Sequence, residues 1–177
     1  MRNVRGDHRG CARMSRRIAR LAVFAIVFLL TAGFDQGTKE WARTLPAGVP
    51  QPVIDGYWDW ELAHNHGAAF SSFTGGTGTQ VVLSLIAVAA LIALAVAAAR
   101  TRPEERLRRI AYALIAGGAL GNLIDRIRDG AVTDFVRWRI HDAKWPIFNL
   151  ADAALLIGVA LLAIGAVRES WQRRAAA

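Results

Sequence analysis

Gly118-Ala119-Leu120-Gly121-Asn122-Leu123-Ile124-Asp125-Arg126 changes character halfway along. Its first half belongs to an apolar run in which Gly117 and Gly121 stand in G-x-x-x-G spacing, the pattern of helices packed closely inside a membrane. Its second half sets Asn122, Asp125 and Arg126 three and four residues apart, on one face of the same helix. An ionisable group at membrane depth is costly, so it needs a partner or a task. The same motif of polar groups at the end of an apolar run recurs nearby. Val132-Thr133-Asp134-Phe135 follows within a few residues, and Phe148-Asn149-Leu150-Ala151-Asp152 heads the next apolar block.

Outward from that stretch the chain is organised by such blocks. Of its 177 residues 54% are hydrophobic, and the mean hydropathy is +0.27, which together with the clustering points to membrane spans rather than a soluble core. We expect spans at about 21–41, 80–99, 107–127 and 146–167. About 21 residues at about 1.5 Å each cross a hydrocarbon core of about 30 Å. The first is read as a retained span, since no small-x-small site closes it as in a secretory signal. The second stops before Pro103, and Pro146 is expected to open the fourth in its first turn. Residues 42–79 are rich in proline, glycine and aromatics. Strand-like composition at 53–54 and 57–62 suggests a small antiparallel ribbon on the bilayer, with Tyr57, Trp58, Trp60 and Phe70 at headgroup level. Residues 128–145 read as a polar loop bearing Asp134, Trp138 and Trp145. The expected fold is an all-α integral membrane protein of four transmembrane helices, with a small extracytoplasmic β-ribbon or cradle between helices 1 and 2. Its parts are a basic tail at 1–19, disordered or interfacial, a four-helix domain at 20–168 and a second tail at 169–177.

The net charge of +8 would suit nucleic acid, but the arginines flank apolar blocks instead of forming one patch. The N-terminal tail, the 100–109 link and the C-terminal tail hold 15 of the 22 Lys and Arg residues. The 35–80 segment holds two, Lys39 and Arg43, against five acids. By the positive-inside rule both termini are expected in the cytoplasm. All the polar groups at span boundaries then share the extracytoplasmic edge. The single cysteine, Cys11, rules out an internal disulfide.

No Ser-His-Asp arrangement, outer thiol or nucleotide-type glycine loop is present to carry chemistry. His64 and His66 have no Cys or carboxylate at metal-ligand spacing, so neither a metal nor a cofactor is expected. Carboxylates remain. Two acids close together resist joint ionisation and can share one proton, one activating water and the other protonating the leaving amine. Asp134, from a loop, and Asp152, from a helix start, can face each other across a peptide. Asp35 and Lys39, four apart, read on spacing alone as an interfacial ion pair with the lysine reaching for water. A proton-coupled transporter would also use intramembrane Asp and Arg, but the inner halves of the spans are nearly uncharged. A non-enzymatic adaptor would leave the pairing of Asp134 with Asp152 without a purpose.

Four segments in order resemble the lipoprotein signal peptidase (signal peptidase II) family. Asp35-Gln36-Gly37-Thr38-Lys39 is similar to its D-x-x-T-K block, and Asn65-His66-Gly67-Ala68-Ala69-Phe70-Ser71 to its N-x-G-A-A-F-S block. Gly121-Asn122 through Asp125-Arg126 with Val132 to Phe135 resembles its third, and Phe148-Asn149 through Asp152 its fourth. The resemblance implies an aspartic endopeptidase of the bacterial cytoplasmic (inner) membrane. It would remove the signal peptide from prolipoproteins just before a diacylglyceryl-modified cysteine. The catalytic aspartates fall on Asp134 and Asp152. Support or substrate binding falls on Asp35, Lys39, Asn65, Gly67, Ala68, Phe70, Asn122, Asp125, Arg126 and Asn149. The implied partners are diacylglyceryl-modified prolipoproteins, membrane lipids and the inhibitor globomycin, without nucleic acid, and a monomer is expected because one chain holds a whole site. A loop with Trp58, Trp60 and Phe70 is expected to cover the reaction from water.

Overall fold

The computed structural model describes residues 7–67 and 77–175. Four long helices carry a small sheet at one end. In chain order they are α1 (Asp7–Ala42), β1 (Gln51–Ile54), β2 (Trp58–Asn65), α2 (Thr77–Arg100), α3 (Arg106–Asp129), β3 (Val132–Ile140), β4 (Ala143–Lys144) and α4 (Leu150–Ala175). Each helix contains a segment long and apolar enough to cross a bilayer: Leu21–Ala42, Gly78–Arg100, Arg106–Asp129 and Leu150–Ala175.

Helix α3 is the centre of the bundle and packs against α1, α2 and α4. Half of its apolar window is buried, against 6% for α2, so the other helices turn most of their apolar surface outward. Leu29, Phe34, Leu85, Ile92 and Leu156 are more than half exposed, as side chains solvated by lipid can be. The close approach depends on glycine. A Cβ at Gly117 would lie 2.6 Å from Thr31 Cβ on α1, and one at Gly118 would meet the Ala151 carbonyl of α4. Small residues thus let α3 touch both neighbours at backbone distance.

The strands form one antiparallel sheet in the order β1-β2-β3-β4. Here the structure departs from the sequence reading. Residues 132–140 are strand rather than polar loop, and they pair with β2 in a register that sets Ala63 opposite Asp134 and Asn65 opposite Val132. The ribbon expected between helices 1 and 2 is therefore completed by the segment between helices 3 and 4. Gly130, at φ +68°, ends α3 in the left-handed region, its N–H donating to Arg126 O, and the strand begins two residues later.

Two further boundaries move. Helix α1 begins at Asp7, so most of the stretch read as a disordered or interfacial tail is helical. Helix α4 begins at Leu150, not Pro146. The Phe148 carbonyl accepts from the amides of Phe135 and Val136, and the Phe148 amide donates to Val136 O, so the chain ahead of α4 is held extended along β3. Proline, which has no N–H to give, fits that extended entry as well as a first helical turn.

Candidate active site

Helix α4 starts with a reciprocal cap. Asn149 Oδ1 accepts from the Asp152 amide at 2.9 Å, while Asp152 Oδ2 accepts from the Asn149 amide at 3.3 Å. Because Phe148 is tied to β3, this cap is pinned beside Asp134. Asn149 Nδ2 donates to Asp134 Oδ1 at 2.7 Å and to Asn122 Oδ1 at 3.1 Å. Asn122 Nδ2 in turn donates to Asp152 Oδ1 at 2.9 Å. Two asparagine amides therefore bridge the two aspartates, which come from β3 and α4.

A buried lysine sets the direction of that bridge. Lys39 Nζ donates to Asn122 Oδ1 at 2.8 Å, which makes this atom the acceptor and turns the amide nitrogen toward Asp152. The lysine is held by Asp35 Oδ2 at 2.8 Å and Asp125 Oδ2 at 3.1 Å, and none of the three side chains is exposed. The reading of Asp35 and Lys39 as an interfacial pair is corrected here. Asp125 closes over the ammonium from α3, and Gly121 makes room, since a Cβ there would collide with the Asp35 carboxylate. Asp35 Oδ1 also accepts the Ala151 amide at 2.9 Å, tying α1 to the first turn of α4.

Asp125 is filled from several sides. It accepts from the Thr133 amide at 2.9 Å and from Gln36 Nε2 and Arg43 Nη2, both at 3.1 Å. The Thr133 bond fixes the start of β3 one residue before Asp134. Gln36 and Arg43 were not among the residues singled out in the sequence. Gln36 lies inside a quoted block, yet only the fold shows its amide spanning Asp35, Gly121 O and Asp125.

Asn65 reaches the pair from β2, donating through Nδ2 to Asp134 Oδ2 at 3.0 Å. Its Oδ1 accepts the Gly67 amide at 2.8 Å, a turn for which Gly67 adopts φ +82°. Glycine is required by that backbone, and a Cβ would also crowd Leu83 Cδ1 at 3.1 Å. Arg126 donates to Asn122 O at 3.2 Å and lies within the field of Asp152, Asp125 and Asp134. Its buried Nε has no partner among the described residues. Ala68 and Phe70 lie outside the described residues. The remaining ten residues singled out in the sequence meet at one end of the bundle. Trp60 packs edge-on against Trp41 of α1 and near Phe135 of β3, with Trp58 beside it, so these indoles brace the sheet rather than standing free above the pair.

The two aspartates differ in surroundings. Asp134 is 2% exposed and Asp152 is half-buried. Burial pushes the Asp134 carboxyl up to about 7, and the neighbouring Asp152 charge adds to this, while the bonds from Asn65 and Asn149 and the Lys39 charge oppose it. A carboxylic acid that keeps its proton near neutrality beside a second carboxylate is suited to general acid–base chemistry on water and an amide. Among the described residues, no three His, Cys, Asp or Glu side chains are arranged to hold a metal ion.

Residues 26–168 match the family described as signal peptidase (SPase) II. The chain is 39% identical over 144 residues to the lipoprotein signal peptidase of Xanthomonas euvesicatoria pv. vesicatoria, covering 80% of this chain and 84% of that one. It is 42% identical over 150 residues to that of Xylella fastidiosa strain M12, covering 79% and 89%. Two solved structures, each described as a bacterial membrane enzyme, superpose with TM-scores of 0.74 at 30% and 32% identity. They cover 84% and 81% of this chain, and 90% and 92% of their own.

Proposed function

The chain belongs to the signal peptidase II family, and from that premise we propose that it removes signal peptides from prolipoproteins by aspartic catalysis, cutting just before a diacylglyceryl-modified cysteine. The observation that carries this reading is the asparagine bridge between Asp134 and Asp152, with Asp134 raised to about 7.

Below that value the pair holds one proton. The charged member takes a proton from water as the water attacks the scissile carbonyl, and the protonated member donates to the carbonyl oxygen. Collapse of the tetrahedral intermediate then breaks the C–N bond, with a proton passing from the pair to the leaving amine. The proton belongs to the pair as a unit. Asn122 and Asn149 hold the carboxylates in place, and Lys39, clamped by Asp35 and Asp125, holds Asn122. Arg126, Asn65 and the Gly67 turn stand where a substrate backbone would be fixed. We place Ala68 and Phe70 in the same substrate-binding segment, on the strength of the sequence block alone.

The charge distribution supports both termini in the cytoplasm and this site at the extracytoplasmic face of the inner membrane. The diacylglyceryl group would then hold the scissile bond at the bilayer edge, with the apolar signal helix among the spans. One chain supplies all the described site residues, which supports action as a monomer.

The test is purified protein acting on a lipidated precursor, followed by release of signal peptide. Asp134→Asn and Asp152→Asn are each expected to lower release by about 10²- to 10⁴-fold, and globomycin to block the wild type. Normal turnover in either variant would refute the dyad.

A further inference from the structure

At the far end of β3 from Asp134 a concavity of about 500 Å³ opens. Ile54, Tyr57, Trp58, Trp138, Ile140 and Trp145 line it, from the β1–β2 turn on one side and the β3–β4 hairpin on the other. Trp138, Trp145 and Ile140 are 56%, 65% and 69% exposed, a degree of apolar exposure that calls for a covering partner. Two cations stand in the lining, Arg139 and Lys144. Arg139 is occupied by Asp59 and reaches Asp55. Lys144 makes no ion pair among the described residues.

We propose that this pocket seats an anionic phospholipid of the outer leaflet, its phosphate on Lys144 and its glycerol and upper acyl chain against the aromatic wall. A cation without an ion pair, set in an apolar lining, matches a ligand that is anionic at one end and hydrocarbon at the other. Tryptophan and lysine together are also the residues that settle at a bilayer interface. The proposal rests on the extracytoplasmic placement of the sheet given above, but not on the peptidase reaction. Strand β3 runs without a break from Asp134 to Ile140. A lipid held at its far end would therefore set the height of the site over the bilayer.

The experiment is native mass spectrometry of the purified full chain with added phosphatidylglycerol. We expect a one-lipid adduct in the wild type. Lys144→Glu should weaken it about fivefold or more, the size of one basic side chain's attraction to an anionic surface, and Lys144→Arg should restore it. Trp145→Ala should weaken it further, with an unchanged unfolding temperature showing that the sheet stays folded. Equal adduct in wild type and Lys144→Glu would overturn the proposal. So would displacement of the lipid by a soluble peptide matching the mature N-terminus of a substrate, which would make the pocket a peptide site. Signal-peptide release is assayed separately. An adduct without release would sink the peptidase reading alone, and release without an adduct would sink the lipid seat alone.

Discussion

At the sheet end of the bundle Lys39 lies between Asp35 and Asp125, and none of the three is exposed. At the opposite end Arg108 lies between Glu105 and Glu169, with 33%, 23% and 43% of the respective side chains exposed. Both are one cation between two acids, so charge counting does not distinguish them. Water does. At the exposed end solvent screens each charge and can replace either partner. At the buried end no replacement exists, and the ammonium is committed to a task, holding Asn122 so that its amide nitrogen faces Asp152. Identical charge patterns are thus open to solvent in one place and sealed against the asparagine bridge in the other.

The sharpest way to test that contrast is at the pair which the buried cluster positions. Asp134→Asn or Asp152→Asn should lower signal-peptide release by about 10²- to 10⁴-fold, the usual size of a lost general acid or base. A smaller loss in both would detach the asparagine bridge from catalysis.

Next comes the buried cation itself. Lys39→Met leaves Asp35 buried without a cation and Asp125 with Arg43 alone, and should cost about 3–5 kcal/mol of stability, read from thermal unfolding in detergent. Arg108→Met, the matching change at the exposed end, should cost under about 1 kcal/mol. Equal costs would break the comparison outright.

The pH profile probes the same burial through Asp134. Its carboxyl is raised from an ordinary 3.8 to about 7, so the folded state holds this proton where an unfolded chain would have lost it. The associated stability is complete below the ordinary value and is lost as pH rises through about 7. Activity should follow the same limb, falling about tenfold per pH unit above it as the shared proton leaves. A rate unchanged from pH 6 to 9, measured on the lipidated precursor, would contradict this.

The smallest effects concern room for the buried cluster. Gly121→Ala pushes a methyl into the Asp35 carboxylate and should cost about 1–3 kcal/mol. Gly33→Ala, where a Cβ would meet nothing within 4 Å, should leave the unfolding temperature unchanged or slightly raised.

Much of this was legible because lipid imposes its own accounting. A span must be a long apolar block, so the four helices could be read without any tertiary knowledge, and polar residues at their ends stood out by type. Strand β3 was not legible. Arg137 and Arg139 interrupt its apolar residues, and its partner β2 lies some seventy positions away, so composition pointed to a loop. The ion pairs of these arginines with Glu61 and Asp59 on β2 exist only once the strands are aligned. The start of α4 was misplaced because Pro146 is compatible with two backbone states, and the bonds from Phe148 to β3 choose between them.

The linear order of residues was enough to determine that this chain crosses a membrane four times, and that its amides and carboxylates gather where those crossings end, because hydrocarbon tolerates so few alternatives. Which carboxylates face each other, which way Asn122 turns, and that Lys39 is sealed from water were decided only in three dimensions. Burial and hydrogen-bond direction depend on what the rest of the chain places on every side of a group, and no local pattern contains that.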